Sequence, residues 1–461
     1  MSVLAAFAVP HPPLILPEVG RGEEKKISAT VKSYEKVMRR AAALKPETIV
    51  LTSPHSVAYA DYFHISPGRS ARGDMSAFRA GEVKIKAEYD AEFVDLLSQI
   101  SEKTGIPAGT LGEREASLDH ATVVPLYFLN REYTDYKLVR IGLSGLSTLT
   151  HYQFGRCIAQ AAEELGRRVV LIASGDLSHK LMKNGPYGFA PEGPEFDRRL
   201  TEAFGKGDFM ALLRFSREFA DAAAECGLRS FQIMAGALDG KAVTHEFLSY
   251  EGPFGVGYGV AAFEVTGEDE TRNFGAQYER EEIERQKSRN AGEDEYVRLA
   301  RFSLETFVKT GRHAKLPGGL PVEMTARRAG TFVSLKKHGQ LRGCIGTISA
   351  TTGSVGEEIL QNAVSAAARD PRFSPVTRDE LEDLVYSVDV LGDAEEIQSP
   401  AQLDVKKYGV IVTNGRRRGL LLPNLEGVDT VEEQISIAKQ KAGIGSGEEV
   451  KLQRFEVVRH K

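Results

Sequence analysis

The sequence predicts an α/β domain followed, past a charged seam, by a second and separate domain. Three observations carry that reading. Short apolar runs alternate with helix-like stretches through the first half of the chain. His11 in LAAFAVPHPPLI, His55 in TIVLTSPHS and His179 in VVLIASGDLSH each sit just past such a run, at a turn. Finally, the segment between Phe263 and Tyr296, EVTGEDETRNFGAQYEREEIERQKSRNAGEDEY, is dense in charge and nearly free of aliphatic side chains. Imidazoles delivered from the carboxyl ends of several strands are how an α/β domain builds a metal or acid/base site above its sheet, so an enzyme is expected.

Candidate strands before the seam are Leu4 to Val9, Thr48 to Thr52, Tyr62 to Ile65, Lys137 to Ile141, Arg168 to Ile172, Ala242 to Ser249 and Gly257 to Val265. Helical patterning falls on Glu23 to Leu44, Asp90 to Thr104, His151 to Leu165, Pro194 to Gly205 and Phe209 to Glu218. The alternation calls for a largely parallel or mixed sheet flanked by helices. Within the seam, AQYEREEIERQKSR combines good helix formers with opposite charges four residues apart, as a solvated connecting helix would. The expected division is 1–267, a charged linker over 268–292, and 293–461.

Composition bounds the function. At 461 residues the chain exceeds what one core ordinarily fills. A hydrophobic content of 42% with 27% charged residues is that of a globular protein, and a net charge of -5 gives no sign of nucleic-acid binding. The apolar start MSVLAAFAVPHPP has no basic leader region and is broken by Pro10, Pro12 and Pro13. It reads as the first strand of a cytoplasmic protein rather than as a signal peptide or membrane span. Cys157, Cys226 and Cys344 are far apart, odd in number and free of CxxC spacing, so a cysteine with a role acts as a thiol.

The histidines differ in setting. His11 is fenced by prolines that fix the backbone around it, and His55 repeats the placement after a second strand, which makes both candidate metal ligands. The plainer alternative is a pair of turn histidines bonded to backbone. His179 arrives with Asp176 in SGDLSH, and a carboxylate three residues before an imidazole could orient it as a general base. Asp176 could equally cap a helix. His120 in SLDHATVVPL also follows an aspartate and starts an apolar segment, as a substrate-binding or cap-region residue would. A third ligand completes a two-histidine, one-carboxylate set suited to non-haem Fe(II). Glu225 in DAAAECGLRSFQIMAGAL is the best candidate, its alternative being a carboxylate at a helix start. Adjacent Cys226 could ligate instead and would favour softer metals.

PHPPL, SPH, LDHATVVPL, SGDLSH and ECGLRS, in this order, resemble the class III extradiol dioxygenase superfamily with its LigB-like fold, particularly the Memo-like branch. The resemblance covers nearly all of residues 1–265. It implies a non-haem Fe(II) site using His11, His55 and Glu225, with His179 as the acid/base residue, His120 near a catecholic or related aromatic substrate, and ring cleavage by dioxygen. In Memo-like proteins a cysteine in a CG motif supplies the third ligand, and ECG here satisfies both patterns.

Past the seam, LKKHGQLRGCIGTI follows the strand-like TFVSL. Its glycines would expose backbone amides around Cys344, beside Arg342. A thiolate next to a guanidinium would have a lowered pKa and raised nucleophilicity. A buried cysteine in a glycine-containing hairpin is the plainer reading. SAAARDPRFSPV adds a turn with Asp370 and Arg372, and GRRRGLLLPNL reads as a hairpin whose arginines are solvated. LRGCIG, ARDPRFSPV and LLLPNL resemble the AMMECR family over about residues 293–461. That resemblance implies an α+β fold without supplying a reaction, and Arg342, Cys344, Asp370 and Arg372 are its candidate site. The fusion is similar to the AmmeMemoRadiSam system A family, which implies a radical-SAM protein partner. The functional expectation is a cytoplasmic Fe(II)-dependent oxidoreductase acting on a small molecule. The alternatives are a metal-dependent hydrolase or lyase on the same scaffold, or a non-catalytic metal-binding interaction module.

Overall fold

The computed structural model describes residues 2–114, 117–337, 340–425 and 427–461, without the side chains of 286, 289–291, 379 and 382. The chain forms two compact units, Met1–Ile283 and Glu284–Lys461.

The first unit is built on a six-stranded sheet in the order Lys137–Gly142, Thr48–Ser53, Val169–Ser174, Val3–Val9, Tyr258–Glu268, Lys241–Glu251. The first four strands run parallel and the last two antiparallel, so the sheet is mixed. Burial on both faces explains why the parallel strands read as unbroken apolar runs. Alternate residues supply the two cores. Ala6, Ala8, Val50, Val139 and Leu171 face one cluster, shared with helices Ala91–Thr104, Thr148–Leu165 and Leu228–Ala237. Ala5, Phe7, Ile49, Leu51 and Val170 face the other, shared with Ser28–Ala43 and His120–Asn130.

Local chemistry sets the element ends. Asp90 accepts from Phe93 N ahead of Ala91–Thr104, and Gly105 closes that helix at a φ of 75°. Several expectations differ in detail. The helix expected from Glu23 begins as a 3-10 turn, Glu23–Ile27, and becomes α-helical only at Ser28. The one expected over Phe209 to Glu218 breaks into Phe209–Leu213 and Arg217–Ala223, because Ser216 caps a new start by accepting from Phe219 N. Tyr62 to Ile65 contributes only a short pair, Phe63–His64. A hairpin of Ser70–Met75 and Ala80–Glu88 escaped the sequence reading; its exposed and buried residues alternate, but its first strand carries Arg72, Gly73 and Asp74.

The charged seam contains a helix, Phe274–Ala291, whose Phe274 and Tyr278 pack against the first unit's core. Among the described residues no helix is long and apolar enough to cross a membrane.

The second unit is α+β. An antiparallel sheet ordered Gln340–Gly346, Thr331–Lys337, Leu384–Leu391, Val457–His460 carries helices Glu295–Thr310 and Val355–Ala368 on one face. A second antiparallel sheet, Glu395–Ile397, Lys451–Phe455, Gly409–Asn414, Arg417–Leu421, packs with helix Val431–Lys441. His338 and Gly339 of the expected LKKHGQLRGCIGTI hairpin lie outside the described residues.

Candidate metal centre

Val3–Val9, Thr48–Ser53 and Val169–Ser174 run side by side and end together. The turns that follow them deliver His11, His55 and the Asp176 to His179 segment to one crevice at the carboxyl edge of the sheet. A fourth chain segment reaches the same place by backbone contact. A Cβ on Gly175 would lie 2.1 Å from the Cα of Gly227, so only a glycine pair lets the SGD and ECG turns touch. The contact brings Asp176 N–H to the sulfur of Cys226, to which it donates at 3.3 Å.

The ligand atoms of His11, His55 and Cys226 lie within 4.8 Å of one another, and those of Asp176, His179 and Cys226 form a second such group. Nε2 of His11 is 3.7 Å from Cys226 Sγ. His11 is buried, Cys226 half-buried and His55 exposed, so the group opens to solvent on the His55 side.

Hydrogen bonding settles the His11 tautomer. Ser174 Oγ donates its single proton to Ala121 O at 2.8 Å, so toward His11 Nδ1, 3.0 Å away, it can only accept. Nδ1 therefore carries the ring proton, and Nε2 turns a bare lone pair toward Cys226. His55 and His120 are tied to each other through Ser53. The Ser53 hydroxyl donates to Asp119 Oδ1 at 2.6 Å and accepts from His55 N–H at 3.2 Å. Asp119 caps the helix His120–Asn130 by accepting from Thr122 N, which places His120 in its first turn. The His120 ring centroid lies 4.3 Å from that of His55 and 5.5 Å from that of His11.

Burial and mutual repulsion keep these imidazoles neutral. Desolvation, then His55, His120 and His179, hold His11 well below its ordinary value. His120 is lowered to about 4 by burial and then His55, and His179 to about 4 by the same two causes. Burial and then the nearby Asp176 and Glu225 carboxyls push the Cys226 thiol well above its ordinary value. The crevice thus gathers uncharged donor atoms, and His179 Nε2 is buried without a hydrogen-bond partner.

The geometry places two of the expected residues in settings of their own. Glu225 joins neither ligand group: its Oε2 accepts from Leu228 N at 2.6 Å, at the start of Leu228–Ala237, so the carboxylate is committed to the helix terminus. The adjacent Cys226 takes its place beside His11 and His55. Asp176 shares a ligand group with His179, but the hydrogen bond its Oδ1 makes is to the backbone N–H of His11, at 2.8 Å, and burial raises its carboxyl to about 7.

Three contributors escaped the sequence reading. Ser174 ends an apolar strand, a position whose polarity was the available signal. Phe78 lies 5.3 Å from His120, centroid to centroid, and Tyr187 lies 5.0 Å from His179 while remaining 58% exposed. Phe78 comes from the 3-10 turn Ser76–Phe78, remote in sequence from His120, and Tyr187 from the loop just past His179.

In the second unit the structure brings Cys344, Asp370 and Arg372 together but turns Arg342 elsewhere. Cys344 N–H donates to Asp370 Oδ2 at 2.9 Å, and Arg372 pairs with the same carboxylate and donates to Cys344 O. Arg342 sits at a bulge in the strand pairing and binds Glu380 through two nitrogens, each at 2.9 Å. Burial raises the Cys344 thiol by more than the Ser334 hydrogen bond and Arg372 lower it, in line with the plainer reading of a buried cysteine. The motif's glycine has a packing role: a Cβ on Gly343 would lie 2.2 Å from Ala366 O of the covering helix.

Comparison with known proteins agrees with both halves. The profile of the catalytic LigB subunit of aromatic ring-opening dioxygenase matches residues 5–261, and that of AMMECR1 matches residues 297–460. A Clostridium acetobutylicum protein is 43% identical over 469 aligned residues, covering the whole of both chains. A Thermotoga maritima protein is 51% identical over 172 residues, 37% of this chain and 99% of its own. A solved Pyrococcus horikoshii structure is 33% identical with a TM-score of 0.34, covering 36% of this chain and 88% of that one. The chain therefore belongs to the family of the catalytic LigB subunit of aromatic ring-opening dioxygenases, here fused to an AMMECR1 domain.

Proposed function

We propose that the first unit is a non-haem Fe(II)-dependent oxidoreductase of the extradiol ring-cleaving type, with His11, His55 and Cys226 as the metal ligands. The observation that carries the reading is the convergence of these three donor atoms within 4.8 Å, at an edge where the His11 lone pair is already aimed inward. The donor chemistry fits a divalent cation. His11 Nδ1 is held by an acceptor, as ligating imidazoles require, and the Asp176 N–H supports negative charge on sulfur. Ferrous iron held there would supply the redox partner for dioxygen and the Lewis acidity that opening a catecholic ring demands.

The chain's own residues do the rest. His179, neutral at pH 7 and with Nε2 free, is suited to take a phenolic proton and return it. His120 lines the same opening from beside His55. Phe78 and Tyr187 supply aromatic walls next to these two imidazoles, matching a planar substrate.

One observation favours a second reading. A thiol in place of a carboxylate makes the set softer, as suits zinc or copper and chemistry without dioxygen. The discriminating experiment loads the full chain anaerobically with Fe(II), then measures oxygen uptake with catechol. Stoichiometric oxygen consumption with ring-opened product supports the dioxygenase. Anaerobic turnover supports a hydrolase or lyase, and metal binding without turnover supports an interaction module that works with a radical-SAM partner.

A further inference from the structure

Two sets of donor atoms meet at Cys226, and the iron proposed above uses only one of them. His11 and His55 share the sulfur in the first group, and Asp176 and His179 share it in the second, whose ligand atoms also lie within 4.8 Å of one another. These are the two such groups among the described residues, and Cys226 is the member common to both.

The second group is built in advance. Asp176 and His179 come from one turn, Gly175 to His179, in which every backbone N–H is committed. Gly175 donates to Val9 O at 2.9 Å, Asp176 to Cys226 Sγ at 3.3 Å, Leu177 to Gly257 O at 2.8 Å, Ser178 to Asp197 Oδ1 at 2.8 Å and His179 to Ala223 O at 3.2 Å. Neighbouring segments thus pin the turn before any ligand arrives. Yet two of its side-chain atoms lack partners. Asp176 is only 7% exposed, and among the described residues it accepts through Oδ1 alone, from His11 N–H. His179 Nε2 is buried without a hydrogen-bond partner. Buried polar atoms are normally satisfied, and an ion is one of the few things that explains a cluster of them left open beside a thiol.

We propose that Asp176, His179 and Cys226 form a second cation site, for a divalent ion of the zinc class, with the Cys226 sulfur bridging the two ions. A carboxylate oxygen, an imidazole nitrogen and a thiolate are the donor types that zinc accepts. A thiolate keeps lone pairs for more than one cation, and paired ions in such centres stand about 3.5–4 Å apart. At that separation they repel and divide the charge of one sulfur, so the second ion binds more weakly and after the first. This site rests on the reading of Cys226 as a metal ligand and is independent of ring cleavage. Its consequence is an off state: an ion held by His179 occupies the lone pair that would move a proton, so excess metal silences the acid/base step.

The test titrates the metal-free full chain anaerobically with Co(II), a spectroscopic stand-in for zinc. Thiolate-to-cobalt absorption counts the ions at sulfur, and low-temperature EPR reports whether two of them share it. Wild type should bind one Co(II) tightly and a second more weakly. The EPR signal of the first should fall as the second enters, because a shared sulfur couples their spins. His179→Ala and Asp176→Asn should each bind one ion and keep its signal. Asparagine retains an acceptor for His11 N–H, so the turn stays in place. A single ion in wild type overturns the proposal. So does a second ion that persists in either variant or leaves the signal of the first unchanged. Oxygen uptake with catechol at one Fe(II) per chain tests ring cleavage separately, and its absence would leave the cobalt count standing.

Discussion

His11 Nδ1 and Ser174 Oγ lie 3.0 Å apart, and the hydroxyl's commitment to Ala121 O makes the imidazole the donor of that bond. One serine thus decides which nitrogen of His11 faces the crevice. Ser174→Ala should preserve the strand, since alanine fits a fully buried position, but leave Nδ1–H without an acceptor and free the ring to change tautomer. Removing such a support typically weakens metal affinity about 10- to 100-fold. Isothermal titration with Fe(II) under anaerobic conditions measures it, and affinity equal to wild type would show that Ser174 does not set the tautomer.

Cys226 and Glu225 are neighbours with separate tasks. Cys226→Ser should abolish tight binding of the metal, because a hydroxyl does not ionise near neutral pH as a metal-facing thiol does. Glu225→Gln should keep one metal per chain, since an amide oxygen can still accept from Leu228 N–H. Metal analysis after gel filtration separates the two. Loss of metal in Glu225→Gln would return the ligand role to the carboxylate.

His179→Ala should retain the metal and lose turnover. Removal of a positioned acid/base typically costs about 10²- to 10⁴-fold in rate. Metal content and oxygen uptake with catechol are measured on the same preparation. Loss of both together would place His179 among the ligands, in the group it shares with Asp176 and Cys226.

Much of this was legible in the sequence because its signals are local. Apolar runs ending in PHP, SPH and SGD mark strand ends, and parallel strands place such ends on one edge, so the gathering of His11, His55 and His179 follows from the fold class. The choice between Glu225 and Cys226 was not legible. Adjacent residues leave the backbone in different directions, and which side chain enters the crevice depends on Gly175 meeting Gly227 from a distant turn.

Gly343→Ala tests how much of the LRGCIG motif serves packing. The added methyl would meet Ala366 O at 2.2 Å, a backbone atom of a helix packed across the sheet, so strand and helix must separate. Overpacking of this kind costs about 1–3 kcal/mol. The unfolding transition of the second unit should move to lower temperature while Fe(II) binding by the first stays unchanged. A variant as stable as wild type would mean that the sheet and helix shift apart at little cost.

Asp197 gives the first unit a pH-dependent weakness at the segment that carries His179. Its side chain, 2% exposed, accepts from Ser178 N–H at 2.8 Å and from the Tyr250 hydroxyl at 2.6 Å, yet burial dominates and raises its carboxyl to about 7. A folded-state pKa above the unfolded value of about 4 means that the protonated form is the one folding favours. Its contribution is complete below about pH 4 and is lost as pH rises through about 7, amounting to a few kcal/mol at most. An asparagine at this position would lack the titration and keep an acceptor for Ser178. Asp197→Asn should therefore gain stability relative to wild type between about pH 5 and pH 8, read as a growing difference in urea midpoint for the first unit. A difference that stays constant over that range would show that Asp197 is ionised throughout and that its two donors outweigh its burial.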